Sequence, residues 1–176
     1  LCNCELCCDK HTHAGAFFNK KKATAPHIFE GVNYNDICAH IPKECDYAPT
    51  CFLLVHASVF TAIGMMDSRY FAYYDDTDFL YRANIAGTRV RIINEPLVFH
   101  KVSTSTGGGL SVFGAYYLTR NRIFFARKNI ETPYYIISIF FTIATRLVYP
   151  LFHKTPYKVY KAFVKGIIDG LMLKNK

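Results

Sequence analysis

Three carboxylates fall within four positions at Asp75-Asp76-Thr77-Asp78, with Phe71, Tyr73, Tyr74, Phe79 and Tyr81 around them. Like charges this close repel, so a fold that keeps them either balances them with a cation or raises the pKa of one. A carboxylate with a raised pKa is suited to taking a proton from a hydroxyl, so general-base catalysis is the chemistry this cluster offers. The plainer alternative is N-capping, and the sequence does predict a helix here, from about Asp76 to Ala86. Asp78 and Arg82 stand four apart, a spacing that lets them pair on one helix face. Gly87 supplies a C-terminal stop. At the N-terminus of that helix the backbone dipole favours negative charge. One aspartate would be read as a cap; three beside so many rings point to function.

The elements that must hold this cluster are marked by the flanking pattern. Cys51–Val55 is a continuous apolar run of strand length, which predicts a buried strand. Ser58 is placed to N-cap a short helix, Val59 to Ile63, closed by Gly64. After Gly87, Arg89–Ile93 alternates like a half-exposed strand, Glu95-Pro96 turns the chain, and Leu97–Phe99 is a second short strand that delivers His100. Strand, helix, helix, strand, strand at these spacings reads as part of an α/β sheet domain. A mobile loop is expected at Ser103–Ser111; its Gly107-Gly108-Gly109 lacks the pattern of a P-loop. A helix is expected next, from about Val112 to Lys128, with Arg120, Arg122, Arg127 and Lys128 on it.

The two ends of the chain read differently. Residues 1–44 form a poorly defined segment: Lys20-Lys21-Lys22 is a solvated charge run, and loop character continues through Gly31–Asp46. Cys2, Cys4, Cys7, Cys8, His11 and His13 could supply zinc ligands by type, but their spacings match no common finger. All 7 cysteines precede residue 52, and an odd count with adjacent Cys7 and Cys8 argues for a reducing compartment. The chain starts at Leu1 without an apolar leader, so it reads as a fragment lacking its N-terminal part.

Residues 131–176 are apolar and basic. Thr132–Thr145 carries no charge but is 14 residues long, short of the ~20 that span a bilayer, and Pro150 and Pro156 are expected to break the chain beyond it. In the last helix Lys154, Lys158, Lys161 and Lys165 form one basic stripe. Charge is lopsided: residues 101–176 hold 12 basic and 2 acidic side chains, against near-neutral segments before them. A basic amphipathic helix beside an apolar one suits an anionic membrane surface. No nucleic-acid reading motif accompanies the charge, so nucleic acid is not an expected partner. At 176 residues and 51% hydrophobic, one domain with a sizeable core is expected.

The stretch from Cys45 to about Lys128 resembles the acceptor-side half of family 2 glycosyltransferases of the GT-A fold, especially rhamnosyltransferase-like members. The resemblance rests on an ordered set: Asp46-Tyr47 leading to Val59-Phe60; Gly64-Met65-Met66-Asp67 with Phe71; Asp75-Asp76-Thr77-Asp78 with Arg82 and Gly87; Pro96 with His100-Lys101; Tyr117 with Arg120-Asn121; and Lys161-Ala162 through Gly166 and Asp169-Gly170. It implies an α/β fold: the C-terminal part of a GT-A mixed-sheet domain over 45–130, followed by C-terminal helices over 131–176. It implies an inverting enzyme that moves a sugar, rhamnose among the candidates, from a nucleotide-sugar donor to a glycan or lipid-linked acceptor in cell-surface or cell-wall polysaccharide synthesis.

By the same resemblance Asp76 is the general base. Asp75, Asp78, Arg82, Lys101 and Arg120 line the substrate, with Arg122 a further candidate for phosphate contact, and His100 ligates a divalent metal (Mg2+ or Mn2+). Neighbours Asp75 and Asp78 would raise the pKa of Asp76 and the helix terminus would lower it. Three departures stand out: Asp75 replaces a usual Glu, Pro49-Thr50 replaces a frequent Gly-Ala, and the donor half that would hold most of the metal is missing. The chain alone is therefore expected to be inactive and its parent active, in the cytoplasm at the inner face of the cell membrane. The competing reading is a non-catalytic membrane-surface module whose acids only cap a helix.

Overall fold

A computed structural model describes residues 2–3, 11–95, 98–99 and 111–174. The chain combines α-helices with short strands, and helix dominates. It divides into two compact units, one made of 1–18, 25–67 and 76–102, the other of 19–24, 68–75 and 103–176.

In the first unit, strands β1 (Cys2–Asn3) and β2 (His11–His13) pair antiparallel. Helix α1 (Tyr34–Ile37) is a single turn that Asn33 caps by accepting from the Asn35 amide, so 31–46 is not wholly loop. Strand β3 (Glu44–Cys45) comes next, then helices α2 (Ala57–Ile63) and α3 (Asp75–Ile85), of which residues from Asp76 onward belong to this unit. Strand β4 (Val90–Arg91) pairs antiparallel with β3, and β5 (Val98–Phe99) runs parallel to β1. The expected strand at 89–93 is thus only two residues long, extended by an Ile92 amide bond to the Lys43 carbonyl.

The predicted strand Cys51–Val55 does not form. Thr50–Phe52 is a 3₁₀ turn, and among the described residues no strand pairs with the extended residues after it. Leu53 and Val55 pack on the core, while Leu54 between them is 87% exposed. One buried face without a pairing partner gives extended backbone, not a ladder. His56 rather than Ser58 caps α2, its ring nitrogen accepting from the Ser58 amide at 3.2 Å, and Gly64 ends the helix at φ +76° as expected.

The core of this unit draws on the segment that looked least structured. Ala16 is fully buried, its amide donates to the Tyr47 carbonyl, and it packs with Tyr47, Phe79 and Leu80; Ala14, Ile37 and Ile41 form a second cluster. Asp46 ties these pieces together. Its carboxylate accepts from the Phe18 amide at 3.2 Å and the Arg89 guanidinium at 2.5 Å, and its carbonyl accepts from Asn84 at 2.7 Å.

The second unit is built on three helices, α4 (Val112–Asn129), α5 (Tyr134–Phe152) and α6 (Tyr157–Met172). Ser111 caps α4 through the Gly114 amide at 3.0 Å. Pro150 does not break α5 but lies in its last turn, and Pro156 is the N-cap residue of α6. Lys154 precedes α6, leaving Lys158, Lys161 and Lys165 as its exposed basic residues. The opposite face of α6, with Val159, Ala162, Phe163, Gly166, Ile167 and Gly170, is buried. No helix among the described residues is long and apolar enough to cross a membrane.

α4 and α6 meet backbone to backbone. A Cβ on Gly166 would come within 2.7 Å of the Tyr116 carbonyl oxygen, and one on Gly170 within 2.6 Å of the Arg120 carbonyl oxygen. Those oxygens belong to a helix and cannot turn aside. Gly166→Ala and Gly170→Ala are each expected to lower stability by about 1–3 kcal/mol, the usual range for overpacking, read as a shift of the urea midpoint; an unchanged midpoint in both would refute this packing.

Candidate functional site

The three aspartates do not share one environment. Asp78 is fully buried, and its carboxylate accepts from Arg82 Nε at 2.8 Å on the next turn of α3. The same guanidinium donates to the carbonyls of Ile63 and, at 2.9 Å, of Met65, which lie at and beyond the end of α2. It also sits 5.7 Å over the Phe79 ring. Asp78 and Arg82 therefore meet as the sequence predicts, and they lock two helices together; their charges are spent on the protein itself. Asp75 and Asp76 remain half-exposed.

Asp76 is held in a different way. Its Oδ2 accepts from the Tyr47 hydroxyl at 2.8 Å, and its Oδ1 accepts from the Thr77 amide at 2.6 Å and the Thr77 hydroxyl at 3.2 Å. Tyr47 is itself nearly buried between the Phe18 and His27 rings, whose centroids lie 6.3 and 5.7 Å from its own. The result is a carboxylate at a helix start, fixed in rotamer by a buried phenol and still reachable from solvent. Such a group can accept a proton from a hydroxyl placed beside it.

His27 carries no signal in the sequence. Burial pushes its imidazole below the ordinary value, while the charges of Glu30 and Asp76 pull the other way. Nothing about its spacing points to this place, because 49 positions separate it from Asp76. Tyr47 falls in the ordered motif set through Asp46-Tyr47, but its role of donating to Asp76 is not read from the sequence.

Arg120 and its neighbour Asn121 serve the second unit. The Arg120 guanidinium donates to the Arg69 and Tyr70 carbonyls, both at 2.7 Å, and to Asn121 Oδ1 at 2.7 Å. Asn121, fully buried, donates from its Nδ2 to the carbonyls of Tyr70, Ala72 and Tyr73 at 2.9, 2.6 and 2.8 Å. These bonds hold a turn in which Phe71, Tyr73 and Tyr74 all take positive φ, at 63, 62 and 67°. Left-handed backbone in bulky residues costs ~1–3 kcal/mol apiece and persists only where the surroundings impose it. The clamp explains Arg120 as a brace for the residues leading to Asp75.

His100 and Lys101, the expected metal ligand and phosphate contact, lie outside the described residues, as do Pro96, Cys4, Cys7 and Cys8. Among the described residues no group of three or more His, Cys, Asp or Glu is placed to hold a metal ion. The chain matches no family model, no curated protein and no solved structure.

The state of His27 has a consequence for stability. An imidazole held below its ordinary value is kept neutral by the fold, so the unfolded chain takes the proton first. Its contribution is complete above pH about 6.5, the unperturbed value, and is lost as pH falls through the folded-state value. The urea midpoint should drop on going from neutral to acid pH, and His27→Phe should flatten that slope; an identical slope in the variant would contradict the half-buried placement.

Proposed function

We propose that the chain is the acceptor-side portion of an inverting family 2-type glycosyltransferase of GT-A fold, in which Asp76 is the general base. The observation that carries this reading is the contrast between two aspartates on one helix. Asp78 is buried and neutralised by Arg82, whereas Asp76 is oriented by Tyr47 and open to solvent. Helix-capping alone would not call for a buried phenol aimed at one carboxylate oxygen.

In the reaction an acceptor hydroxyl lies beside Asp76, which takes its proton as the oxygen attacks the anomeric carbon of a nucleotide sugar. The new C–O bond forms on the face opposite the leaving group. The old C–O bond breaks with its electron pair going to the nucleoside diphosphate, and the configuration inverts. Tyr47 keeps the carboxylate pointed by donating to Oδ2. The Asp78–Arg82 pair and the Arg120–Asn121 clamp each hold their own unit's backbone. A divalent cation would offset charge on the departing diphosphate; the described residues do not make a site for it, and this reading assigns it His100, outside the described residues, with most of its ligands on the donor half. A rhamnosyl donor and a lipid-linked or cell-surface glycan acceptor, used at the cytoplasmic face of the membrane, fit the same proposal.

A second reading, a membrane-surface module without catalysis, is favoured by α5. Its hydroxyls Ser138 and Thr142 are buried, while Phe140 and Phe152 are 70% and 80% exposed, an inverted pattern for a helix facing water. The two readings separate in one experiment. In a protein carrying the donor half, Asp76→Asn should cut sugar transfer by ~10²–10⁴-fold, the range for loss of a general base, without lowering the melting temperature or the affinity for anionic vesicles. Retained transfer would remove Asp76 from the mechanism, and absence of transfer in the unmutated protein, with vesicle binding intact, would leave the second reading.

A further inference from the structure

The second unit holds more buried positive charge than its own acids can answer. Arg122 on α4 is only 8% exposed, and the hydrogen bond it makes among the described residues runs from Nε to the Lys22 carbonyl at 2.8 Å. Its guanidinium lies 5.3 Å from the centre of the Phe141 ring on α5, and the Lys22 ammonium lies 5.4 Å from the same centre. Arg146 comes after Ser138 and Thr142 at four-residue spacing on α5, on the stripe whose hydroxyls are buried. Its guanidinium is 5.0 Å over Phe163, and its Nε is buried with no hydrogen-bond partner among the described residues.

No carboxylate of the unit answers these charges. The unit contains Asp75, Glu131 and Asp169. Glu131 pairs with Lys20 at 2.7 Å and Asp169 with Lys165 at 2.6 Å; Asp75 makes no ion pair among the described residues. Burial pushes both Arg122 and Arg146 below the ordinary guanidinium range, and the charge of Arg122 pushes Arg146 further the same way. The Tyr74 phenol is near enough to act on both, and its hydroxyl donates to the Ala23 carbonyl at 3.0 Å. Taking a charge from water is costly unless a counter-charge goes with it, and a second like charge nearby raises that cost. Cation–π contacts recover only part of that cost.

We infer that Lys22, Arg122 and Arg146 form a binding site for a phosphate-type oxyanion, with Phe141 as its apolar floor. Guanidinium groups suit this ligand because their parallel N–H donors match the oxygen edge of a phosphate, while a lysine adds a mobile point charge at the rim. The inference goes beyond the role given to Asp76 and stands whether or not that residue is a base. A phosphate group can arrive free in solution or as the head of a lipid, and the recognition chemistry is the same.

The test uses the whole chain with two probes, inorganic pyrophosphate followed by calorimetry and phosphatidylcholine–phosphatidic acid vesicles followed by co-sedimentation, pure phosphatidylcholine being the control. Arg146→Gln should weaken binding by about tenfold or more, as expected for one charge-assisted hydrogen bond, and Lys22→Gln, an exposed position that leaves the fold alone, by several-fold. Loss of pyrophosphate binding in both variants supports a free phosphate ligand. Loss confined to the phosphatidic acid vesicles supports a lipid headgroup. The inference is overturned if neither probe binds the unmutated chain, or if folded Arg146→Gln binds as tightly as the original. Should Arg146→Gln fail to fold, unchanged affinity in Lys22→Gln overturns it and weakened affinity supports it.

Discussion

A carboxylate with no exposure to water is tolerable only with a cation against it, and the first unit turns on that constraint. Asp78 is such a group, and Arg82 answers it from the next turn of α3. Because the guanidinium has donors to spare, it also takes the carbonyls at the end of α2, where Gly64 has turned the chain. Breaking a buried pair by removing one partner costs ~3–5 kcal/mol, a large part of a domain's net stability. The pair therefore fixes α3 in its rotation, and that rotation sends Asp76, two residues earlier, toward the Tyr47 hydroxyl. Charge repulsion within the cluster is relieved by giving each acid a separate environment.

The acidic helix, its Asp78–Arg82 pair, the Gly64 stop and the extent of α4 were all legible, because each depends on local spacing along one helix. Features that depend on distant partners were not. The apolar run at 51–55 reads as a strand, yet it forms no strand ladder among the described residues, and Leu54 faces water. Ala14 and Ala16 are small residues in a polar, irregular segment, so no periodicity marks them as core. The link from His27 through Tyr47 to Asp76 spans three segments of chain and has no sequence signature. Asn121 could be read as one letter of a motif, but its use as a triple donor to a left-handed turn is visible only in three dimensions. The family assignment itself rests on that ordered set of short motifs and on the site, and for that reason stays a proposal.

The second unit works by a different balance. Its α4–α6 contact is made close by two glycines, so backbone rather than side-chain interlocking sets the helix spacing there. α5 then carries its polar side chains inward and its rings outward. Inward polarity needs partners, and the hydroxyls of Ser138 and Thr142 find them in their own helix carbonyls. The Arg146 Nε finds none among the described residues, and together with Arg122 it leaves an excess of positive charge that an external anion would relieve.

The central claim is that a single carboxylate, Asp76, activates the acceptor for direct displacement, with no covalent sugar–protein intermediate. The anomeric configuration of the product tests this most directly. With a protein that includes the donor half, a nucleotide sugar of known configuration and a hydroxyl acceptor, the first-formed glycoside can be read by proton NMR from its anomeric coupling. The account predicts a product of inverted configuration. A product that retains the donor's configuration would contradict it, because one base acting on one face cannot give that outcome.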